Sequence, residues 1–131
     1  MSEAAPTPRL VPLLILVALL AWLPEREVER ILQSRGLSRV TENTLDTPAR
    51  LRESLATIRH QGYACDRQEH AIGLNCVAAS LHDQDGLPLA AISVSGPVAR
   101  IPEARLIELG GLVSRAAREI SEQLGGHVPQ P

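Results

Sequence analysis

The order of periodic segments predicts an α+β domain, an antiparallel sheet covered by helices. Three observations carry this. Apolar residues recur at helical spacing on either side of Pro48, the period falls to two between Tyr63 and Gly96 around an Asp-Gly turn, and helical spacing returns after Pro102. With 131 residues, 44% of them hydrophobic, the chain can form one sizeable core and not two.

The first element is "RLVPLLILVALLAWLPE", Arg9 to Glu25, apolar from Leu10 to Leu23. A membrane-spanning helix needs about 20 apolar residues, and this run is shorter, with Pro12 near its start. As an export signal it lacks a basic leader and a small-x-small cleavage site. A core helix is therefore expected, and a membrane-associated protein anchored by residues 10–23 is the alternative. Pro24 suits a first helical turn and Glu25 and Glu27 its positive end, so a helix follows over about Pro24 to Ser34, with Val28, Ile31 and Leu32 inward and Gly36 as its stop. After a polar link, "LSRVTENTLD", Thr47-Pro48 opens a helix with Leu51, Leu55 and Ile58 inward, ending at Gly62.

Strand character begins with "YACD" and "GLNCVAASLHD", joined by the polar "RQEHAIG". "DQDG", Asp83 to Gly86, is a hairpin turn, and "LPLAAISVSG" is the returning strand. Pro88 cannot donate to a ladder and so belongs at that strand's edge or beginning. Pro102 then opens a long helix whose inward face is expected to be Leu106, Leu109, Leu112, Val113, Ala116, Ile120 and Leu124, stopped by Gly125-Gly126. The economical arrangement is a sheet with one face covered by helices.

Composition excludes several functions. Net charge is −2 and all 13 basic residues are arginines, interspersed with acids, so no phosphate-binding stripe exists. Trp22 and Tyr63 are the only aromatics, too few for a base-stacking platform. Two cysteines without CxxC spacing fit reduced thiols. Zinc at Cys65, Asp66, His70 and Cys76 is disfavoured because adjacent strand residues face opposite ways, and no metal or other cofactor is expected. His60, His82 and His127 are expected at exposed helix ends or loops. A Cys76 nucleophile with His70 or His82 as base has no recognisable oxyanion hole, and no enzyme is expected.

The informative polar residues lie on the hairpin. Alternation puts Ser93 and Ser95 on one face and Ile92 and Val94 on the other, with the two hydroxyls about 7 Å apart along the strand. On the partner strand Cys76 shares a face with Leu74, Ala78 and Ser80. Small side chains with a few convergent donors suggest a shallow pocket for a small polar ligand, and they equally fit a half-solvated sheet face.

"ALLAWLPE", "LRESLATIRHQGYACDRQEHAIGLNCVAASLHDQDGLPLAAISVSGPVARI" and "LVSRAAREISEQLGG" resemble the carboxyl-terminal, effector-binding domain of IclR-family bacterial transcription regulators. The strongest motifs are "RxxGYAxDxxExxxGLxCVAA" and "AISVSGPxxRI". The resemblance implies a GAF-like fold of curved antiparallel sheet and helices, a small organic-acid or sugar-acid effector, assembly with itself or with full-length regulator subunits, and a cytoplasmic location. It implies effector contacts at Asp66, Cys76, Ser93 and Ser95. The two serines would donate to a ligand carboxylate, and Asp66 would accept from a ligand hydroxyl. Residues 18–126 carry the resemblance, 1–17 form an atypical hydrophobic segment, and 127–131 form a tail. Where the family has a glycine-bearing ligand loop, this chain reads "LLILV", Leu13 to Val17, and the family's winged helix-turn-helix has no counterpart. A truncated regulator without direct nucleic-acid contact, with an exposed sheet edge that promotes self-association, is the resulting expectation.

Overall fold

The computed structural model describes residues 10–35, 48–67 and 72–130. Helices α1 (Leu10–Leu20), α2 (Glu25–Arg35) and α3 (Pro48–Gln61) precede strands β1 (Ala64–Arg67), β2 (Leu74–His82) and β3 (Pro88–Pro97), and α4 (Glu103–Gln123) closes the order. The strands form an antiparallel sheet with β2 in the middle. The expected helix stop at Gly36, the link before Pro48 and most of "RQEHAIG" lie outside the described residues.

Both faces of the sheet are covered, which corrects the expectation of one. Val77 and Ala79 of β2 turn toward α4 and share an apolar cluster with Leu106, Val113 and Ala117. Cys76 and Ala78 turn the other way, into a cluster with Leu14, Ala18 and Leu20 of α1 and with Val28, Leu51, Leu55 and Ile58 of α2 and α3. Because α1 lies between the sheet and the other two helices, it buries residues on more than one side. A helix in that position has no need of a polar stripe, which explains its uniform composition.

The core-helix expectation for the opening segment holds, and no helix among the described residues is long and apolar enough to cross a membrane. The chain leaves α1 through a tight turn in which the Trp22 and Leu23 amides donate to the Leu19 and Leu20 carbonyls at 3.1 and 3.2 Å. Pro24 then supplies the first carbonyl of α2, accepting from Glu27 and Val28.

Helix α4 is rotated from the expected face. Its buried residues are Leu106, Gly110, Val113, Ala117 and Ser121, whereas Leu112 and Leu124 are exposed. The small residues at 110, 117 and 121 let the helix approach the sheet closely. At Gly110 a Cβ would lie 2.3 Å from the Tyr63 ring, so the aromatic occupies the space any larger residue would need.

The hairpin connection is longer than a two-residue turn. It spans Asp83–Leu87, with the Asp83 carboxylate accepting from the amides of Asp85 and Leu87, both at 2.9 Å. Gly86 supplies the positive φ of 78° that closes it. Pro88 is the first residue of β3, where its missing N–H costs no ladder bond. After Gly125 the chain runs back along this hairpin, with the His127 amide donating to the Asp83 carbonyl.

Candidate ligand-binding face of the sheet

Strand alternation and antiparallel register together build the candidate site. Asp66 of β1 stands opposite Cys76 of β2, and Cys76 stands opposite Ser95 of β3. One step along, Ala64, Ala78 and Ser93 form a parallel row. Directly opposed residues sit about 4.5–5.5 Å apart at Cα, so each row places its three side chains side by side on one face. The four expected contact residues, Asp66, Cys76, Ser93 and Ser95, thus occupy two neighbouring rows of the α1 side.

Their environments differ. Asp66 and Cys76 are 4% and 8% exposed, while Ser93 and Ser95 are exposed because β3 is the outer strand. Burial pushes the Cys76 thiol above its ordinary range, a hydrogen bond with Ser95 opposes that rise, and the nearby Asp66 charge adds to it. The thiol is therefore held protonated, a poor nucleophile and a weak polar contact. The arrangement places a carboxylate at the buried end and two hydroxyls at the open end, with Cys76 between Asp66 and Ser95 and Ala78 beside Ser93.

The wall above this face differs from the glycine-bearing loop implied by the family resemblance. Leu13 to Val17 lie within α1, which runs unbroken from Leu10 to Leu20, and Leu14 is buried in the cluster that contains Cys76. Helical backbone and the Leu14 side chain thus stand where loop amides were expected.

Sequence reasoning misplaced one residue of this face. His82 was expected in an exposed position and is fully buried. Its Nδ1 lies 2.9 Å from the Gly86 carbonyl, which can only accept, so Nδ1 carries the proton. Nε2 then accepts from the Ser80 hydroxyl at 2.7 Å. The Trp22 ring meets the imidazole edge-on at 5.1 Å, and the His82 amide donates to Ser121 Oγ of α4. Burial lowers the imidazole's pKa below its usual range, partly offset by the Gly86 bond. The signal was available, since His82 has the parity of Cys76, Ala78 and Ser80. His60 and His127 are exposed, as expected, and His70 lies outside the described residues.

Among the described residues the metal and nucleophile alternatives gain no geometry. Cys65 belongs to the cluster under α4, on the opposite face from Asp66 and Cys76. His82 is six residues from Cys76 along one strand, about 20 Å, too far to act as its base.

The sequence from Val17 to Glu122 matches the family of bacterial transcriptional regulator IclR C-terminal domains. The chain belongs to the IclR family. Both rows of the candidate face fall inside that match. Over 109 residues, 83% of the chain, it is 45% identical to the transcriptional repressor IclR of Escherichia coli, and it spans about 40% of that relative's length. Among solved structures, the C-terminal domain of the E. coli regulator KdgR superposes with a TM-score of 0.74 at 38% identity, covering 86% of this chain and 68% of that one. The inducer-binding domain of Acinetobacter PobR, solved as a double mutant with 3-hydroxybenzoic acid, shares the fold with a TM-score of 0.72 at 24% identity, covering 82% and 64%.

Proposed function

We propose that this chain is the effector-binding and oligomerisation part of an IclR-family transcriptional regulator, and that the Asp66–Cys76–Ser95 row with the neighbouring Ser93 contacts the effector. The observation that carries the proposal is the register, which aligns an acceptor, a protonated thiol and two hydroxyls across three strands within the family match. The effector class that fits is a small organic or sugar acid. Ser93 and Ser95 donate to its carboxylate, and Asp66 accepts from a hydroxyl or from the hydrate of a keto group. The fold itself serves in PobR as an inducer-binding domain.

No catalysis is assigned to these residues, because the Cys76 thiol is held protonated and His82 lies about 20 Å away along the strand. Self-association belongs to the same reading. Among the described residues β3 has no strand on its outer side, and Leu89 and Val94 are exposed there. A regulator of this kind works in the cytoplasm beside its operator, and DNA contact is not assigned to these residues, whose arginines are mixed with acids.

Thermal denaturation against a panel of small keto, hydroxy and sugar acids tests the proposal. At least one acid should raise the melting temperature, and Ser93→Ala with Ser95→Ala should remove that rise. A panel without effect, or a response that survives the double substitution, would refute it.

A further inference from the structure

A half-open cavity of about 560 Å³, lined by none of the row residues described above, lies between the α1–α2 turn, α2, α3, the hairpin loop and the segment after α4. Its size falls within the range of small-molecule sites. The lining is mostly apolar, with Trp22, Val28, Leu32, Leu55, Leu87 and Pro129 contributing. Two guanidinium groups also line it, and they are not equivalent. Arg52 is neutralised by Glu25 and Glu29 at 3.4 and 3.2 Å. Arg59 is half-buried, uses Nη1 to donate to the Ala21 carbonyl at 2.9 Å, and has no carboxylate within ion-pairing distance among the described residues.

A guanidinium carries five N–H donors in a planar fork suited to a carboxylate. One of them is engaged by Ala21, which fixes the side chain at the cavity wall and leaves the others for a ligand. The acids around the cavity do not cancel this charge. Glu25, Glu29 and Asp85 are exposed, where solvent and salt screen them, and the first two face Arg52. A largely apolar, half-open cavity with one half-buried cation that no described carboxylate pairs matches a molecule with an apolar body and a single negative head.

We propose that this cavity is a second ligand site, specific for an amphipathic monocarboxylate whose carboxylate is bound by Arg59. It is distinct from the Asp66–Cys76–Ser95 face, since Gly86, which lines it, lies at the His82 end of the hairpin, about 20 Å along β2 from Cys76. Trp22 joins the two regions. It lines the cavity and also meets the buried His82 ring edge-on, so an occupant that shifts the indole acts directly on the α1 side of the sheet.

Trp22 is the only tryptophan and lines this cavity, so its emission responds to an occupant here. Octanoate titrated into the intact protein should give a saturable change in Trp22 emission, with octan-1-ol binding about tenfold or more weakly because it lacks the charged head. Arg59→Gln should abolish the preference for the acid, and Arg59→Lys should retain part of it. Absence of a saturable change, equal binding of acid and alcohol, or an acid preference that persists in Arg59→Gln would overturn the proposal. If circular dichroism shows that the Gln variant is unfolded, NMR of the unaltered protein decides. Octanoate should shift the Trp22 indole and the Leu55 methyl resonances, and shifts confined to the β3 serines would refute the assignment.

Discussion

His82→Ala should be among the most destabilising substitutions on the α1 side of the sheet. The substitution leaves the Ser80 hydroxyl and the Gly86 carbonyl without their ring partner, and both residues are buried. An orphaned buried polar group costs about 1–3 kcal/mol, and loss of the edge-on contact with Trp22 adds roughly 0.5–1.5 kcal/mol. These contributions share one network and do not simply add, so a total of about 3–5 kcal/mol is expected. The pH dependence gives a second handle. Burial lowers the folded-state pKa of His82 below its ordinary value of 6.5, so the unfolded chain binds the proton more readily. The stability that a neutral His82 contributes is therefore present above about pH 6.5 and declines as pH falls below it toward the depressed folded value. Urea denaturation followed by circular dichroism at about pH 7.5 and 5.5 measures both effects. A His82→Ala protein within about 1 kcal/mol of the parent, or equal losses of stability in both proteins between the two pH values, would refute this role for His82.

Three other outcomes follow from the packing. Leu20→Ala, at a site 1% exposed between sheet and helices, should cost about 2–5 kcal/mol in the same urea experiment. Gly110→Ala gains up to about 1 kcal/mol of helix propensity but forces a Cβ into the Tyr63 ring, so a net loss of about 1–2 kcal/mol is expected, and Tyr63→Leu in the same chain should recover it. Iodoacetamide should modify the half-buried Cys65 before Cys76, whose thiol is buried and held protonated, as peptide mass mapping over time would show.

The parts of this fold that were legible in sequence are those where a period and a stop signal agree. Pro48 and Gly62 bracket α3, Pro88 begins β3, and the alternation in "AISVSG" put Ser93 and Ser95 on one face, from which the register with Cys76 follows. Legibility failed where packing, not periodicity, decides. The inward face of α4 is set by the close approach of Gly110, Ala117 and Ser121 to the sheet, and small residues carry little hydrophobic signal. Helix α1 hides its sheet-facing side because neighbours on both sides suit an all-apolar helix. His82 was read by type and not by parity, although an even-numbered position on β2 points toward α1. Arg59 opens the "RxxGYAxD" motif, yet its place beside the cavity was not legible, since that depends on the turn after α1, far away in sequence.

Protection of Cys76 tests the central claim most directly, because it reports on the middle of the row. An acid that raises the melting temperature should slow alkylation of Cys76 while leaving the rate at Cys65, on the opposite face, unchanged. A small keto, hydroxy or sugar acid that stabilises the protein in Arg59→Gln as well, yet leaves the Cys76 rate unaltered, would place the effector off this row and contradict the assignment.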